Sequence, residues 1–222
     1  LPGLDHGCPD LDTCLQMARE TWTRGVETVV CTPPFYAWDP VLIERACEMQ
    51  RQVQRALREE GIGLQLLLGF EVDANVIVEA DDEMLRALVI DGTARPGRTS
   101  GTILIETPYQ GWPPFLQEIL FRLRTGGYLP VLAHPERNER VQRSPGLLAP
   151  CLRAGAVIQG TASSLAGPFR RGSMRTFLDL LARGDMHLLA SDGHAQVPYT
   201  WSLAPLLEEL GKRVTADYLN AL

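Results

Sequence analysis

The sequence predicts an α/β fold built on a mostly parallel sheet or barrel. Short apolar runs alternate with helical stretches along the whole chain, and Gly or Pro punctuates the joins. Charged and imidazole side chains also stand just past the ends of several apolar runs. Glu71 follows Leu64 to Gly69, and Glu106 closes Thr102 to Ile105. His134 and Arg137 follow Tyr128 to Ala133, and Asp192 and His194 follow His187 to Ala190. In a parallel barrel the residues past the strand ends share one rim, so these groups are expected to meet in one pocket.

Each element has its own signal. From Asp10 to Arg24, Leu11, Leu15 and Ala18 recur at helical spacing, and Gly25 ends the helix. Val26 to Cys31 reads as a strand broken by Thr32-Pro33-Pro34. Val41 to Glu60 is a charged amphipathic helix closed by Gly61, followed by the strand Leu64 to Gly69 and a weaker helix around Glu79 to Leu88. The Gly- and Arg-rich stretch from Asp91 to Gly101 reads as an exposed turn or loop. The second half repeats the alternation. Strands at Thr102–Ile105, Leu129–Ala133, Ala156–Gln159 and His187–Ala190 lead to helical stretches at Pro114–Thr125, Leu147–Ala154, Gly172–Arg183 and Trp201–Leu210. A closed (β/α) barrel wants seven or eight strands, and these six place the shortfall at the N-terminus. The chain opens on Leu1-Pro2-Gly3 without Met, so an upstream piece is expected.

A chain of 222 residues suits one domain over 1–222 and buries a core without disulfide staples. A formal net charge of -6 argues against a nucleic-acid partner, because phosphate backbones call for clustered Lys and Arg. The five cysteines (Cys8, Cys14, Cys31, Cys47 and Cys151) show no C-x-x-C spacing and point to reduced thiols in a cytoplasmic protein. No apolar run is long enough for membrane insertion. The fingerprints G-x-S-x-G, G-x-x-x-x-G-K and G-x-G-x-x-G are absent. Cys31 lacks the C-x5-R spacing of thiol phosphatases, since position 37 is Ala.

Among the candidates, Asp192-Gly193-His194 joins a carboxylate to an imidazole and suits Zn, Mn or Fe. The competing reading makes Asp192 a helix cap and His194 a surface residue. In His134-Pro135-Glu136-Arg137, Arg137 could fork onto a phosphate, or pair with Glu136 or Glu139 at the surface. Glu71 could bridge metal ions or stand at a helix start. Glu106, an acid ending an apolar strand, is expensive to bury without a partner or cation. Gln159 reads as a hydrogen-bonding residue and His187 as a structural one.

Taken in order, several segments resemble one family. They are L-P-G-L-D-H-G (Leu1–Gly7), G-V-E-T-V-V-C-T-P (Gly25–Pro33), G-F-E-V (Gly69–Val72), I-L-I-E (Ile103–Glu106), G-Y-L-P-V-L-A-H-P-E-R (Gly127–Arg137), Q-G-T-A-S-S-L-A-G (Gln159–Gly167) and H-L-L-A-S-D-G-H (His187–His194). The chain resembles bacterial polymerase-and-histidinol-phosphatase (PHP) type tyrosine-protein phosphatases of capsular and exopolysaccharide loci. The resemblance implies a distorted (β/α)7 TIM-like barrel whose first strand is missing from this chain. It implies up to three divalent ions, Mn with Fe or Zn as alternatives, at the C-terminal rim. By position, Glu71, His134, Asp192 and His194 match metal ligands, Arg137 a phosphate contact, and Glu106 an acid near the site. The family's L-P-x-x-D-D-G carries a ligand at its second Asp; here Asp5 keeps the first acid and His6 replaces the second. The family's T-P-H becomes Thr32-Pro33-Pro34, and Pro34 cannot ligate. An Arg that follows D-x-H in relatives is also absent, with Tyr199 near its place. The implied substrate is the autophosphorylating tyrosine kinase of polysaccharide export, and a homo-oligomer is admitted. Two alternatives stand beside this: a catalytically impaired barrel that binds its kinase or a phospho-ligand, and a small-molecule phosphoesterase.

Overall fold

The computed structural model describes residues 1–4, 7–91, 101–166, 171–197, 201 and 203–212. Asp5, His6, Tyr199 and most of the expected loop between Asp91 and Gly101 lie outside them. Within them the predicted alternation is observed, and every strand pairing is parallel.

Helix α1 (Leu11–Thr23) starts at Asp10, whose carboxylate accepts the Thr13 N–H at 2.8 Å. Strand β1 (Thr28–Cys31) and the short β2 (Pro34–Phe35) are one chain path interrupted at Thr32-Pro33, where proline supplies no N–H to the ladder. Helix α2 (Pro40–Glu59) is capped by Asp39, with Pro40 in its first turn. Strands β3 (Gln65–Leu68) and β4 (Glu71–Asp73) likewise form one path broken at Gly69-Phe70. Glu71 therefore begins a strand rather than trailing one. The Gly69 N–H donates to the Cys31 carbonyl at 2.9 Å and the Glu71 N–H to the Pro33 carbonyl at 3.1 Å, which joins the two interrupted paths side by side.

The weak helix expected around Glu79 to Leu88 is two, α3 (Ala74–Glu79) and α4 (Asp82–Ala87). Asp81 splits them by capping the second, its carboxylate accepting from Glu83 N and Met84 N. Then follow β5 (Gly101–Glu106), α5 (Leu116–Thr125), β6 (Tyr128–Ala133), a 3-10 turn at Pro135–Arg137, α6 (Glu139–Arg143), a second 3-10 turn at Pro145–Leu148 and α7 (Ala149–Arg153). Strand β7 (Val157–Thr161), α8 (Ser163–Ala166), α9 (Gly172–Ala182), β8 (Leu188–Ala190) and α10 (Ala204–Gly211) complete the described chain. Among the described residues, no helix is long and apolar enough to cross a membrane.

The sheet runs β2-β4-β5-β6-β7-β8, with β1-β3 extending its first two paths. Alternation along each strand sorts its side chains onto two faces. Val72, Ile103, Ile105, Leu132 and Ile158 point one way, into the main core with Leu116, Leu120 and Leu123 of α5. Each such side chain contributes about 1.5–3 kcal/mol on leaving water. Leu104, Val131 and Ala133 point the other way and form a smaller apolar cluster with Ile90 and Val157. Glu71 lies in register with Leu104, and Glu106 with Ala133. Both acids therefore stand on the face of the smaller cluster, which becomes the floor beneath them.

Candidate metal centre

Three side chains from three adjacent strand paths converge at the C-terminal rim of that face. One ligand atom each from Glu71, Glu106 and His134 lie within 4.8 Å of one another. His134 Nε2 lies 2.8 Å from Glu71 Oε1 and 4.0 Å from Glu106 Oε1. His134 itself is buried. It leaves β6 in the left-handed region, with φ 32° and ψ 48°, a conformation that costs energy in a non-glycine residue. Its N–H donates to the Gln159 carbonyl at 2.8 Å and its carbonyl accepts the Arg137 N–H at 2.9 Å, so neighbouring backbone fixes the turn. The Tyr109 ring stacks parallel on the imidazole, with centroids 6.1 Å apart and planes inclined by 5°.

Burial, reinforced by the Glu71 charge, pushes the Glu106 carboxyl up to about 7. Burial alone would disfavour a charged His134, but its bond to Glu71 and the surrounding carboxylates outweigh that and hold its pKa above the usual histidine value. Two carboxylates and an imidazole pressed together on an apolar floor suit a divalent transition ion, which would offset both acid charges at once. The residues present fit such an ion.

Beside this trio stands a second constellation. Arg137 is buried, and its Nη2 donates to Asp192 Oδ2 at 2.6 Å, to Thr161 Oγ1 at 2.8 Å and to Ser163 Oγ. Burial would raise the Asp192 carboxyl, but the Arg137 guanidinium, aided by His134 and His194, holds it below the ordinary carboxylate range. Asp192 takes a positive φ of 50°, as His134 does. His194 is half-exposed. Its Nδ1 lies 2.9 Å from the Asp192 carbonyl oxygen and 3.8 Å from Asp192 Oδ1. The alternative in which Arg137 pairs at the surface is set aside by its burial, and among the described residues Asp192 caps no helix.

The structure thus brings Glu71, Glu106 and His134 together and pairs Arg137 with Asp192, with His194 farther toward solvent. Asp5 and His6 lie outside the described residues; the adjoining Gly7 carbonyl accepts the Ala195 N–H at 2.6 Å, against the loop that carries His194. Pro34 stands in register with Glu71. His187 serves structure: its Nδ1 accepts the Ile158 N–H at 3.1 Å.

Sequence reasoning missed Glu136, Thr161 and Tyr109. Glu136 is fully buried, and its Oε1 accepts from Ser164 Oγ at 2.6 Å and from Thr161 N at 3.1 Å. It thereby steadies the strand end whose Thr161 hydroxyl receives Arg137. An acid inside A-H-P-E-R, directly after a buried strand, was the available signal.

Tyrosine-protein phosphatase YwqE of Bacillus subtilis is 32% identical over 198 residues, covering 87% of this chain and 74% of that protein. CapC of Staphylococcus aureus is 28% identical over 199 residues, covering 88% and 74%. The fold superposes with a TM-score of 0.84 and 30% identity on a crystal structure from the pair YwqE of Bacillus subtilis and CpsB of Streptococcus pneumoniae, metal-dependent tyrosine phosphatases, over 98% of this chain and 86% of that one. A resiniferatoxin-binding protein from Rhodobacter sphaeroides shares the fold at a TM-score of 0.55 and 15% identity, covering 96% and 73%. The family described as capsular polysaccharide synthesis, CpsB/CapC, matches residues 1–222, and the chain belongs to it.

Proposed function

We propose that this chain is a metal-dependent tyrosine phosphatase of capsular polysaccharide synthesis, acting on the phosphotyrosines of the tyrosine kinase that controls polymer export. The observation that carries the reading is the Glu71–Glu106–His134 trio beside the Arg137–Asp192 pair, in a chain of the CpsB/CapC family. The wider assignment is a single PHP-type domain, a distorted (β/α)7 barrel, and it rests on the six parallel strand paths and the family resemblance.

Glu71, Glu106 and His134 would hold a divalent ion, with Asp192 and His194 the next donors along the rim, and manganese is the metal proposed. When bound, such an ion neutralises phosphoryl charge and acidifies water near neutral pH. Arg137 is the phosphate-binding group, because a planar guanidinium offers paired N–H donors to two phosphoryl oxygens. Thr161, Ser163 and Asp192 hold that fork in place from one side. The apolar floor of Leu104, Val131 and Ala133 keeps the acids in a low-dielectric setting, where their attraction for a cation is strongest.

A second reading, a barrel that binds its phosphorylated partner with little turnover, draws support from Pro34, which fills a site-facing position with a residue unable to ligate. One experiment separates the readings. Purified protein is loaded with Mn, Fe or Zn and assayed on a phosphotyrosine peptide and on small alkyl phosphates. Release of phosphate from the peptide, lost in Asp192→Asn and His134→Ala, supports the phosphatase. Binding of the peptide without release supports the second reading, and preference for small alkyl esters points to a metabolite phosphoesterase.

A further inference from the structure

Two tyrosines flank the carboxylate–imidazole trio and serve no core. Tyr36 is 66% exposed and Tyr109 44% exposed. Tyr36 directly follows β2, two residues beyond Pro34, which is in register with Glu71. Its neighbours behave differently. Phe35 is fully buried and packs on Phe70 with centroids at 5.1 Å, and Trp38 meets the Phe35 ring edge-on at 6.1 Å. Tyr36 has no such ring partner among the described residues, while the rings on either side of it anchor its backbone. Tyr109 is stacked on His134, and its carbonyl accepts the Glu139 N–H at 2.9 Å, which ties its loop to the start of α6. Burial first, then the charges of Glu106 and Glu71, push the Tyr36 phenol up; burial pushes the Tyr109 phenol up against the opposing charge and hydrogen bond of Arg137.

A single exposed aromatic side chain is ordinary on a protein surface. Two phenol rings beside the same cluster of acids, on anchored backbone, are a substrate-shaped arrangement. We infer that Tyr36 and Tyr109 are specificity-determining residues, the two walls that take the aromatic ring of an aryl phosphate whose phosphoryl group lies at Glu71, Glu106 and His134. This deepens the phosphatase reading and rests on it. Ring–ring contact favours a phosphotyrosyl side chain, whereas an alkyl phosphate such as phosphoserine has no ring to place between the walls. Selectivity then comes from the walls and phosphate affinity from Arg137 and the bound ion.

The test compares the metal-loaded chain with Tyr36→Ala, Tyr36→Phe, Tyr109→Leu and Tyr109→Phe. Turnover of a phosphotyrosine peptide is set against turnover of the matching phosphoserine peptide, and binding of phenylphosphonate against methylphosphonate by calorimetry. Loss of both walls in the Tyr36→Ala, Tyr109→Leu double variant is expected to lower the aryl-to-alkyl ratio about tenfold, through KM more than kcat. Tyr36→Phe should stay close to the parent, and Tyr109→Phe, which loses the hydroxyl bonded to Arg137, should lower both turnovers at an unchanged ratio. An unchanged ratio in Tyr36→Ala and Tyr109→Leu overturns the inference, as does an equal loss for both ligand classes. If the parent chain turns over neither peptide, the phosphatase reading fails, and the phosphonate comparison still decides the walls. A phenylphosphonate preference that vanishes in Tyr36→Ala upholds them, and the lack of any preference overturns them.

Discussion

Arg137 Nη2 and Asp192 Oδ2 lie 2.6 Å apart and join the segment that follows β6 to the segment that follows β8, across the intervening β7. The Arg137 side chain is 6% exposed and the Asp192 side chain 21% exposed, so the pair is largely withdrawn from water. Removing one partner of such a pair leaves a charge buried without compensation, which costs more than the pair itself contributes. Asp192→Asn should therefore lower unfolding free energy by about 3 kcal/mol, at the low end of the range for buried pairs because Asp192 keeps some solvent contact. Urea denaturation measures it, and an effect below about 1 kcal/mol would show that Thr161 and Ser163 suffice to hold the guanidinium. Arg137→Lys should retain more stability but lose the planar fork, cutting kcat/KM on a phosphotyrosine peptide by about tenfold or more.

His134 carries two burdens that separate variants can divide. Its imidazole meets Glu71 at 2.8 Å, and its backbone sits at a positive φ of 32°. His134→Ala loses the Glu71 partner and keeps the backbone strain, so a loss of about 1–3 kcal/mol is expected. His134→Asn should recover part of that loss, because asparagine tolerates the left-handed region better than alanine does. Neither variant restores an imidazole, so both should bind Mn at least about tenfold more weakly by calorimetry. If Mn affinity is untouched in both, the ion is held elsewhere.

The alternation of strands and helices was legible because each signal is local: an apolar run, a helical spacing, or a capping Asp such as Asp10 or Asp39 leaves its mark within a few residues. The rim was legible for the same reason, since Glu106 and His134 directly follow apolar runs. Strands β2 and β4, with two and three residues, are too short to show any period, so Glu71 was expected after a strand rather than within one. Glu136 escaped because its partners, Thr161 and Ser164, lie 25 and 28 residues away and join it only when β7 lies beside β6. Tyr109 escaped because its stacking on His134 depends on where the loop after β5 crosses the rim. Periodicity reports which face a residue occupies, not what arrives at that face from another element.

Gly160 in β7 offers a packing test away from the charged groups. A Cβ there would come within 2.5 Å of Met186 Cε, 2.6 Å of Met186 Sδ and 2.7 Å of Phe177 Cε2. Phe177 is fully buried and has little room to yield, whereas Met186 is flexible at its far end. Gly160→Ala should destabilise the fold by about 1–3 kcal/mol through overpacking. Adding Met186→Ala to it should cost less than the two separate losses combined, because the truncated side chain vacates the space that the new methyl needs. Strict additivity in the double-mutant cycle would mean that the main obstacle is Phe177.

Glu106 makes the metal-free protein sensitive to pH in a direction opposite to that of most carboxylates. Burial first, then the nearby Glu71 charge, raise its carboxyl from 4.5 to about 7. The folded chain therefore binds a proton there that the unfolded chain has released, throughout the interval between those two values. By linkage, this stabilisation is fully present below pH 4.5 and is lost as pH rises through about 7. His134, whose pKa is also raised, adds a loss of the same sign above its ordinary value of 6.5. The lowered carboxyl of Asp192 acts oppositely, and its contribution disappears only on acidification below 3.8. Metal-free protein should thus show a Tm that declines from mildly acid to neutral pH, and Glu106→Gln should flatten the decline. A divalent ion must displace the Glu106 proton, so Mn binding should strengthen as pH rises through 7 and release protons. Calorimetry in buffers of different ionisation enthalpy counts those protons. If Glu106→Gln releases as many protons on binding at pH 6.5 as the parent does, Glu106 is not a ligand, and the ion rests on Glu71 and His134 without it.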